Sequence, residues 1–119
     1  MSREYGLFIE DIEAACRKIV RYVEGYSYEE FFRDEKTFDA VVRNLEVIGE
    51  AVKHLPEDFR REHAEIEWRE IAGMRDILTH AYFALDLEVV WNVVQAEVPA
   101  LLSAILRIQG STQNEIPRR

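Results

Sequence analysis

The stretch that decides the fold class runs from Asp86 to Ile108 and reads DLEVVWNVVQAEVPALLSAILRI. Its valines favour a β-strand by propensity. The apolar positions, however, recur with a period near 3.6 residues over several turns, and a sustained period of this kind is typical of an amphipathic helix. They are Val89, Val90, Val93, Val94, Val98, Leu101, Leu102, Ile105 and Ile108. We therefore predict a helix that Asp86 caps, that Pro99 bends or restarts and that Gly110 ends.

Three more long helices are predicted upstream of this stretch. Apolar residues spaced by three or four mark the first helix, from about residue 5 to residue 24, and Gly25 stops it. The same spacing predicts a second helix from about Asp34 to His54, ended by Pro56. Ile66 opens a third helical stretch, which is predicted to continue to Tyr82.

The connections between these helices are short. Ser27 with Glu30 three residues later resembles a capping box, so a helix of one or two turns is expected there. Residues 56–65 form a charged connector with room for one helical turn. Four main helices with one or two short ones predict an all-α, up-and-down helical bundle. We assign residues 1–109 to a single domain and residues 110–119 to a flexible polar tail.

The charge of the chain limits how it can meet nucleic acid. Its 119 residues include 15 Lys and Arg against 23 Asp and Glu, for a net charge of −8. A protein that binds nucleic acid along its whole surface needs a basic face to displace counterions. Any such contact must therefore be local, through a few arginines in a cleft. An acidic surface of this kind also suits a basic protein partner.

Several other classes of protein are disfavoured by the sequence. The lone cysteine, Cys16, lies on the apolar side of the first helix and is expected to be a buried core thiol. No N-terminal signal is recognised, and no apolar run is judged to approach the ~20 residues that span a membrane. A cytoplasmic protein without a membrane segment is therefore expected.

No metal or cofactor is predicted. The sequence has no Gly-rich phosphate loop and no nucleophile elbow. Glu50 and His54 stand four residues apart, but a single pair of this kind is interpreted as a surface interaction. His63 is interpreted as a solvated residue of the charged connector.

The remaining candidate for chemistry is the segment Arg75-Asp76-Ile77-Leu78-Thr79-His80-Ala81-Tyr82. Asp76 and His80 are four residues apart and share a helix face, so the carboxylate can orient the imidazole. Arg75 and His80 point about 140° apart on a straight helix. They converge only if the helix ends near His80 or if a second copy of the chain faces the first. From spacing alone, these residues can equally be ordinary cap and rim residues at a helix C-terminus.

The pattern Arg75-x4-His80-x-Tyr82 resembles the signature of the HEPN superfamily. Three further segments resemble the HepT-like branch of that superfamily, so that the similarity covers roughly residues 4 to 108. They are Asp39–Ala51 for the second helix, Trp68–Phe83 for the motif helix, and Asp86–Trp91 with Pro99 for the last helix. The sequence departs from the family pattern at Glu67, where a proline often stands, and this position concerns only the start of a helix.

The resemblance implies an HEPN-like fold and the toxin of a HEPN/MNT (type VII) toxin–antitoxin system. It implies a metal-independent endoribonuclease with Arg75 and His80 as the catalytic pair and an RNA substrate such as tRNA; the spacing to His80 adds Asp76 as a supporting residue. It also implies a minimal nucleotidyltransferase antitoxin that transfers AMP to Tyr82. Pairing of two chains into a homodimer is the simplest way to bring two such segments into one cleft. Two alternatives stay open: a non-catalytic binding and acceptor subunit of a minimal nucleotidyltransferase, and a purely structural bundle.

Overall fold

The computed structural model describes residues 3–73 and 87–115, with side chains described for residues 6–73 and 87–110. Within these ranges the regular structure is entirely helical, which confirms the predicted all-α fold. The helices are α1 (Arg3–Tyr22), α2 (Tyr28–Arg33), α3 (Glu35–Lys53), α4 (Glu57–Glu62), α5 (68–73), α6 (Leu87–Asn92) and α7 (Val98–Glu115), with a π-helical turn over Val93–Glu97 between the last two.

The core lies where α1 packs against both α3 and α7. The side chains with at most 1% exposure are Ile12, Cys16, Ile19, Phe31, Val41, Val52, Val94 and Ile105. Among the side chains that the structure describes, no polar or charged residue is fully buried. Cys16 is the predicted core thiol. Burial disfavours its thiolate and, with a smaller contribution from the charge of Glu13, raises the pKa of Cys16 to about 12.

The turn after α1 and the start of α2 follow from local sequence. Gly25 adopts a φ of +79°, a left-handed conformation that glycine tolerates and that ends helices. Ser27 Oγ accepts from the amide of Glu30 at 3.1 Å, and the Glu30 carboxylate accepts from the amide of Ser27 at 2.9 Å. The predicted capping box is confirmed.

Asp34 joins α2 to α3. Its amide bonds back to the carbonyl of Glu30, while its carboxylate accepts from the amide of Thr37 at 3.2 Å and from the Tyr26 hydroxyl at 2.7 Å. These hydrogen bonds lower the pKa of Asp34, that of Tyr26 having the largest effect. One residue therefore ends a short helix with its backbone amide and caps a long one with its carboxylate.

Pro99 shapes the last helical stretch. Proline has no amide hydrogen and its ring collides with the carbonyl four residues earlier, so an unbroken α-helix is disfavoured around it. The chain responds with the π-helical turn, in which the amide of Val98 donates to the carbonyl of Val93. The helix then continues past Gly110, so the prediction that Gly110 ends it is wrong. Gly110 does not adopt the left-handed φ that terminates helices, and α7 reaches Glu115.

The last helical stretch is also longer and more apolar than the sequence reading allowed. The 24 residues from Leu87 to Gly110 meet the length and composition of a membrane-crossing helix, so the prediction that no such run exists is wrong. Core helices pass the same test. In this one, 39% of the apolar window is buried, including Val94, Leu101 and Ile105 in the core that it shares with α1, whereas Val89 and Leu106 are exposed.

Candidate functional site

The predicted site residues occupy one short part of the chain. Arg75, Asp76, His80 and Tyr82, together with the predicted cap Asp86, lie outside the described residues. Their assignments stay predictions. What the structure gives is the support on either side, namely α5 before this segment and α6 after it.

A buried tryptophan holds the start of α5. Trp68 is 6% exposed, and its indole Nε1–H donates a hydrogen bond to the backbone carbonyl of His63 at 3.0 Å. Its ring packs against Phe59, the buried residue of α4, with ring centroids 5.9 Å apart. The indole thus has an apolar contact for its rings and an acceptor for its polar group, as a buried tryptophan requires.

His63 differs from its predicted role. Its ring is half-buried and lies 4.6 Å from the ring of Phe59, measured between centroids. The prediction that it is simply solvated is therefore wrong. The surrounding sequence is charged, but Phe59 turns inward and provides an apolar surface on which the imidazole rests.

Ile71 packs α5 against the rest of the bundle. It is half-buried and lines a narrow apolar cleft with residues of α3 and of the last helical stretch. The other lining residues are Leu45, Ile48, Val93, Glu97, Val98 and Leu101. The helix that leads into the motif therefore rests on two elements besides α4.

The other side of the motif is held by a second tryptophan. Trp91 of α6 packs with its ring centroid 5.4 Å from that of Phe31 and 6.2 Å from that of Tyr28, edge-on to the latter. Phe31 is the fully buried residue of α2. The two described helices that flank the motif in the sequence, α5 and α6, are thus each anchored by a tryptophan. The two tryptophans were visible in the sequence as flanks of the motif, but nothing in the sequence indicated which groups they would contact.

Negative charge gathers beside α5. The pKa of Glu70 is raised, chiefly because its carboxyl group shares a hydrogen bond with Glu67, and further because Glu67 and Glu97 repel its charged form. This surface repels a phosphate.

The described part of the chain gives no support for a metal centre. No group of three or more histidine, cysteine, aspartate or glutamate residues within it can hold a metal ion. His54 Nε2 lies 3.4 Å from a Glu50 carboxylate oxygen, and both side chains are about half exposed. The prediction that this pair is a surface interaction is confirmed.

Comparison with known proteins decides the family. The model of the ribonuclease HepT-like family matches residues 12–108, which include the predicted site. The chain belongs to this family. The resemblance to the HepT-like branch is thereby confirmed, and an RNase is the activity that the family description names. No solved structure matches the chain.

Relatives of this HepT-like chain also carry ribonuclease names. A probable ribonuclease HepT of Thermococcus cleftensis is 46% identical over 101 residues, covering 85% of this chain and 92% of the relative. A protein of Caldanaerobacter subterraneus, provisionally named an RNase, is 42% identical over 101 residues, covering 85% and 90%. Another of Methanocaldococcus jannaschii, also provisionally named an RNase, is 39% identical over 118 residues, covering 96% and 98%. The similarity therefore spans nearly the whole of each protein.

Proposed function

We propose that this chain is a metal-independent endoribonuclease that cuts RNA, with tRNA as a candidate substrate, in a cleft between two copies of itself. The observation that carries the proposal is the family match over residues 12–108, because the motif from Arg75 to Tyr82 lies inside it. RNA cleavage is the activity named for the family and for the relatives. The absence of a metal, the pairing and the residue roles are the finer parts of the proposal.

The proposed chemistry needs a base and an acid. A base removes the proton from the ribose 2′-hydroxyl, whose oxygen attacks the adjacent phosphorus. An acid protonates the departing 5′ oxygen. Imidazole titrates near neutral pH and can do either task, so His80 of one copy acts as the base and His80 of the other as the acid. The products are a 2′,3′-cyclic phosphate and a 5′-hydroxyl.

Arg75 and Asp76 complete the proposed site. A guanidinium group makes charge-assisted hydrogen bonds to phosphate oxygens. It also stabilises the negative charge that grows on them in the transition state. Asp76 orients His80 from one helical turn away. Because Arg75 and His80 diverge by about 140° on one helix, two facing copies bring an arginine and a histidine together more readily than a single chain does.

Tyr82 is the proposed off switch. We propose that the chain is the toxin of a toxin–antitoxin pair in the cytoplasm, and that a minimal nucleotidyltransferase partner transfers AMP from ATP to the Tyr82 hydroxyl, releasing pyrophosphate. The attached nucleotide places bulk and negative charge two residues from His80. Both effects exclude an RNA phosphate from the cleft, by volume and by like-charge repulsion.

A cleavage assay tests the nuclease. Purified protein is incubated with tRNA and with short RNA in the presence of EDTA, and the product ends are identified. We expect cleavage by the parent and none by Arg75→Ala or His80→Ala. The matched controls are Arg69→Ala in α5 and His54→Ala in the exposed pair with Glu50, which remove the same residue types elsewhere and should cut normally.

The outcomes separate the parts of the proposal. Cleavage by Arg75→Ala and His80→Ala at the parent's rate would show that the catalytic assignment is wrong. Loss of the parent's activity in EDTA, restored by a divalent metal, would show that the reaction needs a metal. Circular dichroism and thermal melting of each variant establish that an inactive protein is still folded.

A mass measurement tests the switch. After incubation with a purified minimal nucleotidyltransferase from the same genome and ATP, the intact mass of the parent should rise by whole AMP units. Tyr82→Phe should show no rise, and Tyr22→Phe should behave like the parent. An equal rise in Tyr82→Phe would exclude Tyr82 as the acceptor. A rise in a parent that does not cut RNA before modification would instead favour a non-catalytic acceptor subunit.

A further inference from the structure

The backbone carbonyl of His63 joins α4 to α5. It accepts a hydrogen bond from the amide of Ile66 at 3.1 Å and a second from the indole Nε1–H of Trp68 at 3.0 Å. A carbonyl oxygen has two lone pairs and can accept both. The amide of His63 in turn donates to the carbonyl of Phe59 at 3.2 Å. The last turn of α4 and the first residue of α5 are therefore tied through the backbone of one residue, His63.

The start of α5 depends on this tie. The first amides of a helix have no acceptor within the helix, and the first helical hydrogen bond here runs from Ile71 to the carbonyl of Glu67, at 3.1 Å. In proteins most of the stability of a helix comes from tertiary packing, so tertiary contacts set its place and direction. At the N-terminal end of α5 the contact is Trp68, which is 6% exposed and bonded through its indole.

We infer that Trp68 is a positioning residue for RNA cleavage, because its hydrogen bond to His63 fixes the direction in which α5 leads toward Arg75. This inference rests on the proposed function. In the helix that the sequence predicts through Tyr82, Arg75 follows Trp68 by seven residues, or about 10 Å. A tilt of about 10° at Trp68 then moves residue 75 by about 2 Å, and a misplacement of about 1 Å can cost on the order of a hundredfold in rate.

Trp68→Phe removes the hydrogen bond together with part of the ring system. Phenylalanine keeps an aromatic ring against Phe59 and removes the indole N–H. The His63 carbonyl retains its bond from Ile66, so no acceptor is left unsatisfied. We expect kcat to fall about ten- to a hundredfold. The KM for RNA should change much less, because the lost placement matters most in the transition state.

Ile19→Val is the matched control. Ile19 is fully buried in α1, and its shortening by one methylene should lower the melting temperature by an amount similar to the loss of one hydrogen bond. Its kcat should equal that of the parent. Both variants are assayed well below their melting temperatures, with Arg75→Ala as the inactive reference.

The rates of these variants either support or overturn the positioning role of Trp68. A kcat for Trp68→Phe equal to that of the parent would overturn the inference while leaving the nuclease intact. An equal fall in Ile19→Val would show that general destabilisation is the cause, which also overturns it. If the parent does not cut RNA, or Arg75→Ala cuts as fast as the parent, the proposed function fails and the inference fails with it.

Discussion

Replacing Phe31 with alanine should destabilise the whole bundle, although α2 is only six residues long. Phe31 is fully buried, and its ring centroid lies 4.7 Å from that of Phe32, 5.6 Å from that of Phe38 and 5.4 Å from that of Trp91. Removal of a buried phenylalanine side chain costs about 3–5 kcal/mol. A helix this short does not persist alone, so its place on α3 and α6 depends on this ring.

The expected loss of unfolding free energy in Phe31→Ala is a large fraction of the total stability of the domain. Domains of this size have an unfolding free energy of about 5–15 kcal/mol, and the melting temperature should fall by about 10–20 °C. Circular dichroism at 222 nm measures this fall, and urea unfolding gives the free energy. Leu7→Ala, at a position that is 53% exposed, should change stability by no more than about 0.5 kcal/mol. A fall of less than about 3 °C for Phe31→Ala would refute the argument that Phe31 anchors α2 and, through Trp91, the end of the motif.

Three further results are expected from titratable groups and caps. Glu30→Gln should lower the melting temperature at pH 7 and weaken its dependence on pH. Hydrogen bonds from the backbone amide and then the side chain of Ser27 lower the folded pKa of Glu30, so their stabilisation of the carboxylate is present above the unfolded value of 4.5 and is lost as pH falls through the folded pKa. Melts of both proteins from pH 3 to pH 7 check this, and parallel curves would contradict it. Glu70→Gln should melt at a higher temperature than the parent at pH 7 and at the same temperature near pH 4. The folded pKa of Glu70 is raised, so its charged form destabilises the fold, and this destabilisation vanishes as pH falls below 4.5. Equal melting temperatures at pH 7 would argue against repulsion from Glu67. Cys16 should react with a thiol reagent at pH 8 only as fast as the protein unfolds. Its pKa of about 12, in place of 9.0, lowers the thiolate fraction about a thousandfold. Rapid labelling of the folded protein would contradict the burial of Cys16.

Helix type and order could be predicted from the sequence because amphipathic period and capping are local signals. The stripe of α1 and the Ser27 capping box required no knowledge of distant contacts. Helix ends were harder. Glycine costs only about 1 kcal/mol inside a helix, so Gly110 is a stop signal only where the chain needs a left-handed residue, as at Gly25. The response to Pro99 was predicted as a bend or a restart, but its form, a π-helical turn, depends on how α7 packs against α1.

The support of the candidate site could not be predicted, because it depends on contacts between elements. Trp68 reaches a carbonyl five residues earlier only because a tight turn brings the carbonyl of His63 within hydrogen-bond distance of its indole Nε1–H. His63 looked solvated because the connector around it is charged. The single inward-facing Phe59 reverses that prediction. The sequence could select the segment from Arg75 to Tyr82 for its chemistry, whereas its anchoring residues become recognisable only in three dimensions.

The net negative charge of the chain makes RNA binding sensitive to the proposed modification of Tyr82. A net charge of −8 repels RNA at a distance, and pairing doubles that charge. In the proposed dimer the attraction is confined to two copies of Arg75 and His80, while carboxylates such as Glu70 and Glu67 line the approach along α5. A strongly basic nuclease would keep its RNA through many phosphate contacts after one was lost. In the proposed dimer the contacts are few, and AMP on Tyr82 adds negative charge beside the cations that attract RNA. The RNA affinity should therefore fall by more than the same added charge would cause in a strongly basic nuclease.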